Sequence, residues 1–530
     1  MPQDSFARAG AYRSHLSRAQ LGKGWTGPLG LVRVRDGRVH TRRRAAWIAR
    51  TALTRAIAGG FARPLPNKFG RGDMPQDNSQ LPTPNSQLPT PNSHSPILPF
   101  SHSPEFQSML YLTNQFSTAV FSSLFAVLFM TGFAIAEEPA AWAANPDLVK
   151  KLSAKRSFNY DESKVPDYEL PDPLTMNDGT KVSSAGQWMT KRRPELLEQF
   201  RNLVYGRRPD TAYQVTFETT AEIENAFEGL ATGRGMKAII TVDQRTYTFP
   251  FVVFTPNHTT GKTPAVVAIN NRYFIPLEKA VSESDPYWPV KTLLQQGYAA
   301  ATFYTSHVDP DNKNDYADGI RAFFANGNPP SDDAWRSLSA WGWGASRVLD
   351  YLSTLPSIDA NRVAVVGHSR GGKAAIWAAA EDERFAIAYS NNSGCGGAAL
   401  SRRGYGETVK QITTVFPHWF TPQFASYADR EHELPIDQHE AIALVAPRAV
   451  YVTSSDEDLW ADPRGEYASL VAAAPVFELL GKTAIDEPTM PPLDGQRIVG
   501  QTGYHVRSGG HGLGQVDWDF FVKFMESVWR

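Results

Sequence analysis

Residues 363–373 read Val363-Ala364-Val365-Val366-Gly367-His368-Ser369-Arg370-Gly371-Gly372-Lys373, followed at once by Ala374-Ala375-Ile376-Trp377-Ala378. The unbroken apolar run, rich in valine, suits a strand buried on both faces. The small-residue stretch behind it suits a helix. Between the two stands Gly-x-Ser-x-Gly, so the chain must swing from strand to helix within a few residues and lift a serine out of the turn. A buried strand feeding directly into a helix is the unit from which parallel, helix-covered sheets are built. The turn also places the serine hydroxyl at a helix N-terminus, where backbone N–H groups favour negative charge.

The alternation continues through the rest of the chain. Apolar runs at 249–254, 265–269, 298–303, 363–366, 385–390 and 449–453 read as strands, and helical stretches fall near 334–354, 371–382, 464–480 and 514–529. The expected architecture is α/β, a mostly parallel central sheet covered by helices on both faces in a three-layer sandwich. With 42% apolar and 12% aromatic residues, the chain has material for a sizeable core, which excludes a wholly disordered or fibrous protein.

Charge and composition set the first 136 residues apart. The net charge is -1, but residues 1–108 hold 15 Lys+Arg against 5 Asp+Glu, leaving an excess of 11 acidic groups on the remainder. A basic nucleic-acid footprint on the main body is therefore excluded. Residues 78–84 and 85–91 repeat the heptad Asn-Ser-Gln-Leu-Pro-Thr-Pro, a proline density that suppresses helix and sheet. The segment 1–108 is expected to be disordered, low-complexity sequence upstream of a misplaced start. From Met109 an apolar run leads to Ala134-Ile135-Ala136 before Glu137-Glu138-Pro139, small residues placed as in a signal-peptide cleavage site. Residues 109–136 are thus expected to be a signal peptide, 137–530 a single catalytic domain, and the product secreted or periplasmic, with no membrane attachment after cleavage. The one cysteine, Cys395, excludes an intrachain disulfide and a cysteine-based zinc cluster.

A serine hydroxyl needs a base, and in a protein built this way the base follows the acid near the C-terminus. His511, in Ser508-Gly509-Gly510-His511-Gly512, sits in a flexible loop before the last helical stretch, whereas His439 suits capping or packing. The acid should follow the strand at 449–453, where Asp456, Glu457 and Asp458 compete on equal terms.

The chain here resembles a known family. Gly367-His368-Ser369-Arg370-Gly371-Gly372-Lys373 is similar to the Gly-Cys-Ser-Arg-x-Gly-Lys signature of glucuronoyl esterases, carbohydrate esterase family 15, and looks like its bacterial branch. The resemblance continues through Ser393–Ala399, Phe416-Pro417-His418-Trp419-Phe420, Leu434–His439, Ala446–Val452 and Asp458–Pro463. It implies an α/β-hydrolase fold, Ser369 as nucleophile, His511 as base, and Arg370 as oxyanion stabiliser. It also implies Lys373, Glu407 and Trp460 as sugar contacts. The position many members use for the acid falls on Asn392, and aligning Trp460 favours Glu457, with Asp456 in reserve. His368 replaces a cysteine, so a disulfide joining nucleophile and base loops is absent.

The function so implied is hydrolysis of (4-O-methyl-)glucuronic acid esters, such as those linking glucuronoxylan to lignin, through a Ser-His-Glu triad and an acyl-enzyme. An esterase for acetylated xylan or other small acyl groups stays open, as does a non-catalytic carbohydrate-binding relic. No metal or cofactor motif is present: the chain has neither His-Glu-x-x-His nor a Gly-rich phosphate loop. A chain beginning at Glu137 is expected to fold and keep full activity. Expressing that shortened protein beside the full chain checks this; an insoluble or inactive short form beside an active long one would count against it.

Overall fold

A parallel sheet buries its strands on both sides, and that is where the unbroken apolar runs end up. The computed structural model describes residues 140–155 and 157–529, and the expected segments 1–108 and 109–136 lie outside them. Ten strands form one sheet among the described residues. They are β1 (Gln214–Asn225), β2 (Ala231–Val242), β3 (Arg245–Pro256), β4 (Thr263–Asn270) and β5 (Ala299–Tyr304). They continue with β6 (Ile358–His368), β7 (Ile387–Asn391), β8 (Ala449–Ser455), β9 (Gly495–Val499) and β10 (Thr502–Arg507). The spatial order is β1-β2-β3-β5-β4-β6-β7-β8-β10-β9. The block from β5 to β10 is parallel throughout. β1, β2 and β3 add antiparallel strands on one flank, and β9 adds one on the other.

Side chains alternate across each strand, so every central strand feeds two cores. Val363, Val365, Val267 and Val450 point to one face, where they meet the helices Ser337–Thr354, Arg370–Glu381 and Pro463–Leu479. Ala364, Val366, Val266 and Tyr451 point to the other, against Trp518, Phe521 and Phe524 of the helix Gln515–Trp529. These are the expected three layers of an α/β-hydrolase fold. Trp341 and Trp343 are buried in the first core. His439 is fully buried, with Nε2 2.8 Å from the Pro171 carbonyl oxygen, a packing place as expected.

Register brings the strand ends to one rim. Gly367 lies opposite Ile269 and Ser390, His368 opposite Asn391, Asn391 opposite Thr453, and Arg507 opposite Ser455. Loops leaving the carboxyl ends of β4, β6, β7, β8 and β10 therefore emerge side by side, where ligands bind in open α/β sheets.

The turn after β6 is possible only with glycine at 367. A Cβ there would lie 2.0 Å from the Gly371 carbonyl oxygen. That contact is backbone against backbone and cannot relax by a rotamer change. Gly367→Ala is expected to destabilise the protein by about 3 kcal/mol, as overpacking against a rigid wall does. Gly186→Ala, where a Cβ meets nothing within 4 Å, should be neutral or slightly stabilising. Equilibrium denaturant unfolding of both variants gives the comparison.

Candidate active site

Ser369 follows β6 directly and takes φ 58°, ψ -125°. This lies outside the comfortable regions for an L-residue, at a cost of order 1–3 kcal/mol that the surroundings must offset. They do so through hydrogen bonds. The Ser369 N–H donates to the Asn391 carbonyl at 2.8 Å, and the Ser369 carbonyl accepts from Gly372 at 2.9 Å and Lys373 at 3.2 Å. The side chain is thus held at the N-terminus of the helix Arg370–Glu381.

His511 lies in the loop after β10. Its Nδ1 is 2.6 Å from Asp458 Oδ2; the carboxylate side chain is 6% exposed and the imidazole 41%. With Nδ1 engaged, Nε2 is the nitrogen left to serve Ser369, which lines the same pocket. The imidazole's carboxylate partner is therefore Asp458, a correction to Glu457 and to its reserve Asp456. The reason is local. β8 ends at Ser455, and the Asp458 N–H folds back to the Ser455 carbonyl at 3.1 Å, so strand alternation stops before Asp458 is reached. Asp456 Oδ1 accepts the Gly509 N–H at 2.8 Å. Glu457 is exposed, and its backbone N–H donates to the Gly509 carbonyl at 3.1 Å. Both brace the histidine's loop from outside, while Asp458 turns inward.

Ser369, His511, Arg370, Lys373, Glu407 and Trp460 all line one pocket of about 370 Å³. Glu457 and Asp456 do not. A larger cavity of about 630 Å³, walled by Arg208, Phe324, Pro330 and Trp335, contains no histidine. Chemistry, not size, selects the site.

Arg370 is less free than its position suggests. Its Nη1 donates to Asp311, and its guanidinium lies over the rings of Trp419 at 4.7 Å and Phe416 at 5.2 Å. Those two rings stack at 3.8 Å, almost parallel. Asp311 Oδ1 also accepts the Trp419 indole N–H at 2.7 Å and lies 2.8 Å from His418 Nε2. Burial alone would raise the Asp311 carboxyl, but His418, the Arg370 charge and Trp419 hold it below its ordinary value. None of Asp311, Phe416 and Trp419 was singled out from sequence as a site residue; Phe416 and Trp419 stood only inside the family-like stretch.

Lys373 sits one turn into the helix, fully buried. Its ammonium donates to the carbonyls of Ser393 and of Cys395 (2.6 Å for the latter) and lies 3.9 Å from Glu407. Burial lowers the Lys373 pKa and raises that of Glu407, and each charge partly offsets the other's penalty. The Trp460 side chain hydrogen-bonds the Glu407 carboxyl, and its ring packs edge-on against Phe158 at 4.9 Å. Asn392 donates from Nδ2 to Ser455 Oγ at 2.8 Å and carries no charge into the site. Among the described residues no cluster of His, Cys, Asp and Glu is placed to hold a metal ion.

Known proteins share this arrangement's frame. A family model described as glucuronyl esterase, fungi, matches residues 239–481. A carbohydrate esterase from an unknown prokaryotic organism is 40% identical over 415 residues, covering 73% of this chain and 94% of the relative. The solved structure of a promiscuous CE15 esterase from a marine bacterial metagenome superposes with TM-score 0.64 at 37% identity, covering 70% of this chain and 99% of the other. A glucuronoyl esterase from Solibacter usitatus superposes with TM-score 0.65 at 36% identity, covering 69% and 100%.

The geometry ranks the three neighbouring carboxylates. Asp458→Asn is expected to lower kcat by roughly 10²–10⁴, since the imidazole loses the partner that fixes its tautomer. Glu457→Gln and Asp456→Asn should each cost less than about tenfold, since the Glu457 side chain is exposed and the half-buried Asp456 meets the loop backbone rather than the ring. Steady-state kinetics on the three variants read the ranking directly; Glu457→Gln as the most damaging change would reverse it.

Proposed function

The chain belongs to carbohydrate esterase family 15, the glucuronoyl esterases, and on that premise we propose that it is an exported serine esterase for esters of (4-O-methyl-)glucuronic acid in plant polysaccharide, including those joining glucuronoxylan to lignin alcohols. The observation that carries this reading is a single pocket lined by Ser369 and His511 beside hydrogen-bonding and aromatic groups suited to a sugar ring.

In the proposed reaction Ser369 Oγ attacks the C6 carbonyl while His511 Nε2 takes its proton. Asp458 steadies the imidazolium that results. Negative charge on the carbonyl oxygen is met by Arg370 and by backbone N–H groups at the helix N-terminus. Asp311 and the two stacked rings hold Arg370 in place, so little reorganisation is needed when the charge appears. The protonated His511 then gives its proton to the departing alcohol. Water, activated by the same imidazole, attacks the acyl-enzyme and frees Ser369 and the uronic acid.

Lys373 and Glu407 present charged hydrogen-bonding groups to ring hydroxyls, and Trp460 offers a flat apolar surface to the ring. The carboxyl of a glucuronic ester is masked, so the group entering the pocket is neutral. This fits a site whose cations already face carboxylates. Export through the segment 109–136 is part of the proposal, and a mature N-terminus at Glu137 in protein secreted by an expressing host would support it.

The experiment pairs a variant with two substrates. Benzyl glucuronate should be turned over far more efficiently than p-nitrophenyl acetate, and Ser369→Ala should reduce kcat on both by on the order of 10⁶. Near-native turnover by the alanine variant would remove the serine mechanism. A preference for the acetate ester would leave a small-acyl esterase instead.

A further inference from the structure

Beneath the His511 loop runs a chain of buried polar contacts that takes no part in the pocket. Asp517, in the first turn of the helix Gln515–Trp529, is wholly buried. Arg507 Nε reaches both of its carboxylate oxygens at 2.9 Å, and the Gly514 N–H reaches Oδ2 at 2.9 Å. Asn391 Nδ2 donates to Oδ1 at 3.1 Å, and His505 Nε2 lies 3.1 Å from the same oxygen. One carboxylate on the last helix thus gathers groups from β7, β10 and the loop that leads into that helix.

From there the contacts run in two directions. Outward, Arg507 Nη1 donates to the Ser508 carbonyl at 2.9 Å, and Nη2 to those of Gly512 at 2.7 Å and Gly510 at 3.4 Å. These carbonyls bracket His511. Inward, Asn391 Oδ1 lies 2.6 Å from His368 Nδ1, and the Asn391 carbonyl accepts the Ser369 N–H. The proton positions on this branch are fixed by Arg272. Its guanidinium can only donate, and Nη2 lies 3.0 Å from His368 Nε2. His368 therefore accepts at Nε2 and donates from Nδ1, which aims the amide nitrogen of Asn391 at Asp517. The His368 ring also lies 4.4 Å from that of His511, centroid to centroid.

The loop needs such a frame. Ser508-Gly509-Gly510-His511-Gly512 carries three glycines in five residues, a composition that loses much backbone freedom when ordered. We propose that Asp517 and Arg507 are positioning residues of the esterase, holding the backbone of 508–512 so that the His511 imidazole stays in register with Ser369. This rests on the assignment of Ser369 and His511 as the reacting pair. Asp517 orients the Arg507 fork, the fork fixes three carbonyls of the loop, and Asn391 refers that geometry back to the nucleophile's turn.

The test uses Asp517→Asn, which keeps shape but removes the charge that aims Arg507, and Arg507→Lys, which keeps charge but cannot span three carbonyls. Active sites are titrated with a serine-directed fluorophosphonate, so turnover is expressed per reactive serine. Folding is followed by circular dichroism. The expected result is a kcat per titrated site lowered roughly 10²-fold in each variant, the loss that misplacing a reacting group produces, with KM on benzyl glucuronate little changed. A purely structural role would reduce the titrated fraction or the melting temperature and leave per-site kcat at the wild-type value, which overturns the proposal. Should Asp517→Asn not fold, Arg507→Lys decides alone; failure of both to fold also counts as a structural role and overturns it. The reacting-pair assignment is judged separately: the probe must label the wild type and not Ser369→Ala.

Discussion

At the end of β6 two stretches of backbone meet so closely that not even a methyl group fits between Gly367 and the Gly371 carbonyl. The remainder of the site depends on that approach. It forces Ser369 into its unusual backbone conformation and aims the first turn of the helix Arg370–Glu381 at the space above the sheet. Arg370 and Lys373, on successive turns, are carried there with it. Had the strand needed a longer loop to reach the helix, the serine would stand further from the helix N-terminus and the two cations would lose their common direction. The core on either face keeps the turn from relaxing, because valines on both sides of β6 are fully buried.

Charge in the pocket is paired rather than simply accumulated. Arg370 faces Asp311, Lys373 faces Glu407 and His511 faces Asp458. Partly buried ions of this kind are tolerable because each has a partner and further hydrogen bonds. Lys373 illustrates the division of labour, since two main-chain carbonyls occupy much of its donor capacity. The loop of β7 is thereby fastened to the nucleophile's helix. Glu466 fastens it from the opposite side, accepting the N–H groups of Ser393 and Gly394, with burial pushing its carboxyl up to about 8. Its other oxygen accepts from Ser454 at the end of β8, so one carboxyl ties the two neighbouring strand ends together.

The sequence disclosed the parts of this protein whose physics is local. All six apolar runs became strands, five in the parallel centre and one as β3 beside it, because strands buried on both faces demand unbroken hydrophobicity. Strands without such a run, among them β1 on the antiparallel flank and β10 in the parallel block, were passed over for the opposite reason. β1 exposes most of its Glu and Thr residues, and β10 is buried yet built from Thr502, Gly503 and His505, which do not read as an apolar run. Ser369 and His511, picked out by motif and order, and Arg370, Lys373, Glu407 and Trp460, picked out by resemblance, all line one pocket. The acid was not legible. Choosing among Asp456, Glu457 and Asp458 required knowing where β8 stops, and strand ends depend on neighbours such as Arg507 rather than on the residues themselves. Asp311 was equally hidden, since its importance comes from three donors that lie far along the chain.

The side-by-side ends of β7 and β8 also couple two loops of the rim. Asn392, where many relatives of the resembling family carry the acid, is joined through its side chain to Ser455, immediately before the turn that carries Asp458. Position 392 and the carboxylate that meets His511 thus lie on loops leaving adjoining strand ends of one rim. A substitution at either strand end is therefore felt at the other, because the two loops share a side-chain hydrogen bond and a stretch of ladder.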